Sequence, residues 1–241
     1  MVSGTTILPP AGAAKSDNLS VLAEAFKKRN AKRILDIGCG SGDLAVRLAA
    51  AGFDVTGADP RAEAIAAARR LAPDVPFIQD AAETLPEGIG PFDAACMVNA
   101  LHHVATAEMQ NALSRVLSLL RPGGELLVIE PVADGSFFRC MQPIDDETEV
   151  RALAIAAIDS FVAGGGAVLR DLRRWDRESR FSGLQGFIDY LLDVDPDRAA
   201  TVERRRNELE RVWRAELLIR DGKAVLVQPI LCWILARAKA D

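Results

Sequence analysis

The chain has 241 residues, of which 49% are hydrophobic and 26% are charged, and its formal net charge is −5. This size and composition predict one domain over residues 1–241 with a single substantial core. The acidic balance argues against a general electrostatic grip on nucleic acid, which needs a basic surface. We see neither an export signal nor a run of about 18 apolar residues that would span a membrane. Four cysteines without Cys-x-x-Cys spacing predict free thiols in a reducing cytoplasm.

Strand-like and helix-like segments alternate along the first half of the chain. A helix is expected first, because Ser16-Asp17-Asn18 offers N-cap side chains and an apolar stripe at helical spacing follows. Strands are then predicted at 33–37, 54–58, 76–78, 93–98 and 125–130, and helices at 43–51, 61–71 and 107–120. This alternation predicts a doubly wound α/β fold, a parallel sheet with helices on both faces.

The C-terminal part of the chain breaks this rhythm. Apolar runs at 216–220 and 224–235 are joined by Asp221-Gly222, a strong signal for a tight hairpin, so the last strands are predicted to be antiparallel. Between strand five and the hairpin lie roughly eighty residues, far more than a usual connection. Apolar stripes there predict a helical insert, with Gly164-Gly165-Gly166 as a flexible joint between helices. The expected sheet has seven strands and is mostly parallel.

The turn after the first strand carries glycine at every second position, Gly38, Gly40 and Gly42. Glycine has no Cβ and tolerates positive φ, so backbone N–H groups there can approach a bulky polar ligand. Asp59 follows the second strand, where a carboxylate can accept two hydrogen bonds from a ribose diol. The pattern predicts a cofactor that contains a nucleoside.

Asp43 occupies the place where a dinucleotide fingerprint needs its third glycine. Its negative charge in the first helical turn would repel a pyrophosphate, whereas a cationic sulfonium would not be repelled. An NAD(P)-dependent oxidoreductase therefore stays only as an alternative.

Five motifs in order over about residues 33–131 make the chain resemble the class I S-adenosylmethionine-dependent methyltransferases of the small-molecule type. The matching segments are Asp36 to Gly42, Asp59-Pro60, Gln79-Asp80-Ala81-Ala82, Phe92-Asp93 through His103, and Arg121-Pro122-Gly123-Gly124-Glu125. The resemblance implies a cofactor-binding set: Asp36 at the methionine ammonium, the turn residues Gly38, Cys39, Gly40 and Gly42, then Asp59 and Pro60 at the ribose, Asp80 and Ala81 at the adenine, and Asn99 after the fourth strand.

Several of these residues also have a purely structural interpretation. The three glycines suit any tight turn from strand to helix, and Asp36 suits hydrogen bonding to turn amides. Asp59 before Pro60 suits a helix N-cap. Asp80 suits a solvated loop.

The resemblance implies methyl transfer from S-adenosylmethionine to a small-molecule acceptor through an oxygen or nitrogen nucleophile, with S-adenosylhomocysteine as product. Asn99 is followed by Ala100-Leu101 and not by the Asn-Pro-Pro-Tyr type of motif, which counts against planar amides and nucleobase amines. An inactive methyltransferase-like binding or regulatory module is a second alternative. The acceptor, a protein acceptor and the oligomeric state stay open.

His102 and His103 are the catalytic candidates, because either side chain suits a general base. Packing in the loop is an equally good interpretation. Adjacent residues are expected to point to different sides, so no metal site is predicted.

Arginines between 170 and 180 are mostly expected on solvated, paired faces. The minority interpretation is that one of them points inward and holds a substrate carboxylate or phosphate.

Function and fold together suggest a plan of four segments. We expect a helical N-terminal segment over 1–32, a cofactor-binding core over 33–130, a helical lid over 131–213 and the hairpin over 214–241.

Overall fold

Strands and helices alternate through the first half of the computed structural model, which describes residues 17–238. The strands are β1 (Arg33–Ile37), β2 (Asp54–Asp59), β3 (Phe77–Gln79), β4 (Phe92–Val98), β5 (Leu120–Pro131), β6 (Ala167–Phe181), β7 (Leu218–Arg220) and β8 (Lys223–Arg237). The helices are α1 (Asn18–Lys28), α2 (Asp43–Ala50), α3 (Ala62–Leu71), α4 (Met109–Ser118), α5 (Gly135–Met141), α6 (Thr148–Ala163), α7 (Leu184–Val194) and α8 (Ala199–Glu216). Asp17 caps α1 by accepting from the backbone N–H of Ser20 at 2.8 Å. Ser16, another N-cap candidate, lies outside the described residues.

One sheet of eight strands organises the described chain, in the order β3-β2-β1-β4-β5-β8-β6, with β7 paired to β8. Strands β1 to β5 are parallel, whereas β8 runs antiparallel between β5 and β6. This confirms the predicted doubly wound, mostly parallel sheet with antiparallel C-terminal strands. The strand order reverses between β1 and β4, so a crevice is expected at the carboxyl edge there.

The hairpin turn forms at Asp221 and Gly222, both with positive φ. Its first strand, β7, has only three residues, and the long partner of β8 is β6. β6 lies inside the segment that the sequence predicted to be helical, so that part of the prediction is wrong. Its sequence carries many charges and no alternating pattern; pairing along β8, from Ala167 opposite Arg237 to Phe181 opposite Ala224, sets its conformation.

The predicted glycine joint between helices connects α6 to β6 instead. A Cβ placed on Gly166 would lie 2.3 Å from the ring of Phe161, so this glycine is needed for tight packing. That contact argues against a swinging joint at this residue.

Three apolar clusters hold the layers together. Helices α4 and α6 pack on one face of the sheet, and α1, α2 and α3 pack on the other. The third cluster joins α5, α7 and α8 to Phe181 of β6 and to Ala224 and Leu226 of β8. Helices α5, α7 and α8 therefore pack on the part of β6 and β8 that projects beyond the carboxyl end of β5.

The four cysteines are buried and unpaired, and burial raises the pKa of each thiol. Within residues 17–238, no helix is both long and apolar enough to cross a bilayer.

Candidate functional site

The glycine turn is fixed to the end of β2 by its own backbone. The N–H groups of Gly38 and Cys39 donate to the carbonyl of Ala58 at 2.8 and 3.0 Å. All three glycines have positive φ. The turn therefore has a fixed shape at the amino end of α2.

The three glycines differ in what surrounds them. A Cβ on Gly38 would lie 2.5 Å from that of Ala100, and one on Gly42 would lie 3.0 Å from that of Ala68. At Gly40 the nearest atom would be Nη2 of Arg61, 3.7 Å away. Packing explains Gly38 and Gly42, whereas Gly40 leaves room that the described protein does not fill.

The carboxylate of Asp59 lies directly beside this turn. Its Oδ2 accepts from the N–H of Gly40 at 3.0 Å, and its Oδ1 accepts from the N–H of Arg61 at 3.0 Å. The guanidinium of Arg61 adds contacts of 3.1 and 3.4 Å. The first residue of α3 is Ala62, with Arg61 as N-cap, so Asp59 is not the cap of that helix. Pro60 is exposed between them.

Asp36 is a buried carboxylate with an unsatisfied oxygen. Cys96 donates its thiol to Oδ1 at 3.6 Å, and Oδ2 has no partner among the described residues. Burial raises the pKa of Asp36 to about 7; the thiol of Cys96 lowers it and Asp59 raises it further. A buried acceptor without a donor is rare, and a ligand ammonium would satisfy it.

Asn99 and Asp80 follow β4 and β3 at the same edge of the sheet. Asn99 has a φ of 50°, and its Oδ1 is also buried without a described partner. Oδ1 of Asp80 accepts from the N–H of Ala81 at 2.9 Å and from the hydroxyl of Thr84. Asp80 thus has a local role that does not require a ligand.

The two histidines lie together, not on different sides as the sequence analysis expected. The 3-10 turn Leu101–His103 brings their ring centroids to 4.1 Å. His102 is buried and its Nδ1 contacts Glu130, whereas His103 is more exposed. The surrounding protein partly desolvates the ring of His103, and this desolvation, with the neighbouring His102, lowers the pKa of His103.

Glu130 is a functional candidate that sequence reasoning missed. It is fully buried at the end of β5 and accepts from the N–H groups of Ala100 and Leu101 at 3.2 and 2.8 Å. Together with its contact to His102, these bonds fix the loop after β4. A glutamate directly after the apolar run 126–129 was the available signal.

Glu147 connects this loop to the insert. Its Oε2 lies 4.0 Å from Nε2 of His102 and 2.6 Å from Nη2 of Arg151, and its Oε1 lies 3.8 Å from Arg198. One ligand atom each from His102, His103 and Glu147 fall within 4.8 Å of one another, a spacing that suits a metal ion. Glu147 already pairs with Arg151, and the positive charge of this guanidinium would repel a metal ion bound at Glu147. That no metal binds at this cluster stays a prediction.

Comparison with known proteins gives the family. A family model described as a methyltransferase domain matches residues 34–124. An uncharacterized methyltransferase of Synechocystis is 35% identical over 99 residues, covering 41% of this chain and 47% of that protein. Residues 34–124 therefore form a domain of the class I S-adenosylmethionine-dependent methyltransferases. A tRNA U34 carboxymethyltransferase of Azotobacter vinelandii is 32% identical to this methyltransferase over 195 residues, 71% of the chain and 58% of the relative. The chain thus spans about half the length of these curated relatives.

Solved structures share the fold of this methyltransferase. The YcgJ protein of Bacillus subtilis superimposes with a TM-score of 0.63 at 20% identity, over 92% of this chain and 98% of that one. The [4+2]-cyclase SpnF gives 0.56 at 21% identity, over 97% and 87%. At these identities the likeness shows the fold alone.

The residues of this methyltransferase fit the cofactor of its family. The free oxygen of Asp36 suits an ammonium, and the space at Gly40 and the carboxylate of Asp59 suit a ribose. These three residues converge at the carboxyl ends of β1 and β2.

Proposed function

We propose that this protein transfers the methyl group of S-adenosylmethionine to an oxygen or nitrogen atom of a small-molecule acceptor, leaving S-adenosylhomocysteine. The observation that carries the proposal is the buried Oδ2 of Asp36, which has no partner among the described residues, on the strand that leads into the glycine turn, where a Cβ on Gly40 would meet only Arg61, at 3.7 Å. The sulfonium supplies the chemical activation, so the protein's main work is positioning and the exclusion of water.

The cofactor-binding residues have distinct roles in this proposal. Asp36 accepts hydrogen bonds from the methionine ammonium, and Asp59 accepts them from the ribose hydroxyls once Arg61 moves aside. Asp80 and Ala81 hold the adenine, and Asn99 contacts the cofactor from β4. The walls of the proposed cofactor site are the backbone of the glycine turn and Pro60, which follows Asp59. The turn residues are Gly38, Cys39, Gly40 and Gly42.

His103 is the proposed general base for an acceptor with an acidic proton. Its lowered pKa keeps the imidazole neutral and able to accept a proton. His102, buried against Glu130, is better placed to orient the loop than to meet the acceptor. A nucleophile that carries no acidic proton needs no base.

The insert supports a division of labour between residues 33–130, which bind cofactor, and residues 131–213, which cover the acceptor. The hydrogen bond to Asp59 is the main cause of the raised pKa of Arg61, and the carboxylate of Asp195, between α7 and α8, adds a smaller electrostatic contribution, so this part of the insert lies on the side of the ribose site. Arg198 also pairs with Asp145 at 2.6 Å. Segments 1–32 and 214–241 complete the proposed plan, and the free cysteines suit the cytoplasm that we propose for it.

Titration with cofactors separates this proposal from the oxidoreductase alternative. S-adenosylhomocysteine is expected to bind and NAD to leave the protein unchanged in calorimetry. A ligand at about 100 times its dissociation constant adds about 2.7 kcal/mol to the free energy of unfolding, which gives a second readout. Binding of NAD alone would overturn the proposal.

Activity separates an enzyme from a binding module. S-adenosylhomocysteine release is measured over a panel of hydroxyl and amine acceptors. Turnover of one acceptor supports the proposal. Tight cofactor binding without turnover of any class of acceptor would favour the regulatory module, and SpnF illustrates that this fold also occurs outside methyltransferases.

A further inference from the structure

Arg177 lies on β6 beyond the carboxyl edge of the parallel strands. The last residue of β5, Pro131, is opposite Ile230, which is opposite Trp175. Arg177 is two residues further along β6, opposite Gln228. Three strand spacings, about 14 Å, separate β6 from β4, where Asn99 and the histidines lie. The two strands therefore border the carboxyl edge of the sheet on either side of β5 and β8.

The charge of Arg177 has no counter-ion among the described residues. Its Nε is buried without a hydrogen-bond partner. Two other arginines of this strand are paired: Arg173 with Asp171 at 2.8 Å, and Arg180 with Asp221 at 3.2 Å. Arg177 as a whole is partly exposed, but a buried guanidinium nitrogen without a partner is unfavourable unless a ligand supplies one.

The surroundings of Arg177 resemble a binding site for a planar acid. The ring of Phe137 lies 5.8 Å from the guanidinium carbon, and Tyr190 lies 5.8 Å from Phe137. Gln228 is fully buried, and its amide nitrogen donates to the carbonyl groups of Val132, Asp134 and Pro229. Because this side chain is neutral, it does not compensate the charge of Arg177.

A chain of contacts connects this region to the loop after β4. Arg151 donates to Gln228 at 3.3 Å and pairs with Glu147, which lies 4.0 Å from Nε2 of His102. Glu147 compensates the charge of Arg151. Of the two arginines Arg151 and Arg177, only Arg177 therefore keeps an unpaired positive charge. Desolvation is the main reason that the pKa of Arg177 is lowered, with Arg151 adding to it and Tyr190 opposing it.

We propose that Arg177 binds a carboxylate or phosphate of the methyl acceptor, with Phe137 and Tyr190 beside its ring or chain, so that the substrates are small acids. This inference rests on the proposed methyl-transfer function. A planar guanidinium binds both anions through two parallel hydrogen bonds.

The experiment uses the full chain saturated with S-adenosylhomocysteine and three probes: benzoate, phenyl phosphate and neutral benzamide. Calorimetry is expected to show that one or both anions bind at least tenfold more tightly than benzamide. Comparison of the two anions identifies the preferred group. Arg177→Gln removes the preference, and Arg177→Lys restores part of it.

Arg174→Gln is the matched control. Arg174 also has a buried Nε without a partner, but it lies three residues earlier, on the opposite face of the strand. This variant is expected to keep the preference for anions. Arg177→Met is expected to be at least as stable to heat as the unliganded wild type, because it removes an unpaired charge.

Equal binding of all three probes to the wild type, or an anion preference that survives in Arg177→Gln, would overturn the inference. A marked loss of thermal stability in Arg177→Met would show that the guanidinium has a structural role instead. Failure of S-adenosylhomocysteine to bind would be a different result, since it contradicts the methyl-donor site and not the role of Arg177.

Discussion

Arg61 covers the carboxylate of Asp59, with Nε 3.1 Å from Oδ1 and Nη2 3.4 Å from Oδ2. The arginine side chain is 64% exposed, and the aspartate side chain beneath it is 4% exposed. A ribose that binds Asp59 must therefore displace the guanidinium. Because an exposed arginine gains little from such a pair, this displacement is easy.

Arg61→Ala is expected to bind S-adenosylhomocysteine more tightly than the wild type. Exposed ion pairs contribute about 0.2–1 kcal/mol, so the gain is about 1.4-fold to fivefold by calorimetry. Arg214→Ala, which removes an exposed arginine 3.7 Å from Glu210 in α8, is the control and should change nothing. Weaker binding by Arg61→Ala would mean that Arg61 itself holds the cofactor.

Asp59→Ala is expected to weaken S-adenosylhomocysteine binding at least tenfold. A hydrogen bond to a charged group contributes roughly 1.5–3 kcal/mol, and the ribose diol offers two. Asp54→Ala, at the opposite end of the same strand, is the control. An unchanged dissociation constant in Asp59→Ala would remove the ribose assignment.

Asp36 makes cofactor binding depend on pH. Because its pKa is raised to about 7, it is largely protonated at pH 6 and must lose a proton to receive an ammonium. The affinity for S-adenosylhomocysteine is therefore expected to rise between pH 5.5 and 7.5, by no more than about tenfold per unit. Calorimetry with Asp36→Asn should give weak binding without this rise. A steep rise that persists in the variant would assign it to another group.

The same carboxyl group affects the unliganded protein in the opposite direction. Its folded-state pKa lies above the unfolded value of 3.8, so its stabilising contribution is complete below that value and is lost as pH rises toward 7. Chemical denaturation at pH 8 should therefore show Asp36→Asn to be more stable than the wild type. At pH 4 the difference should shrink. Equal loss of stability at both pH values would contradict the raised pKa.

His103 is expected to set the acidic limb of the pH–rate profile for a hydroxyl acceptor. Since its pKa is lowered from 6.5, the midpoint of that limb should lie below 6.5. His103→Gln should slow turnover by about 10²–10⁴-fold and abolish the limb, with little change in cofactor affinity. A variant that keeps the wild-type rate would leave His103 a packing residue.

Gly40 tests whether the turn serves a ligand. Gly40→Ala and Gly52→Ala both place a side chain at positive φ, and neither Cβ meets protein atoms closer than 3.7 Å. Both variants should lose similar stability in thermal unfolding, but only Gly40→Ala should lose S-adenosylhomocysteine binding. Equal binding by the two would make Gly40 a turn residue only.

The cofactor half of the fold was predictable from sequence because its signals are local. Glycine placement, strand ends and alternating apolar runs located β1 at its observed bounds and β2 to β5 within one to five residues. Asp59 was predicted beside the glycine turn, and it lies there. The same local signals located the hairpin turn at Asp221 and Gly222.

The rest depended on contacts between residues distant in sequence. β6 forms because β8 offers it a partner, and no pattern within residues 167–181 shows this. The contact of His102 with Glu130 joins residues 28 positions apart, and that of Arg151 with Gln228 joins residues 77 apart. Arg61 was not predicted to lie at the site, because it belongs to none of the motifs. Its guanidinium covers Asp59, the residue that was predicted to bind the ribose.

The pairing with β8 gives the single strand β6 two structural roles. Residues from Ala167 to Arg174 extend the central sheet, and those from Asp176 to Phe181 form a wall above its carboxyl edge. Amide protons of β6 that donate to β8 should exchange with solvent slowly, whereas the alternate amides of this edge strand point away from β8 and should exchange faster. When variants are selected for a new methyl acceptor, substitutions are therefore expected to accumulate first in α7, where a packing defect does not break the hydrogen bonds between strands.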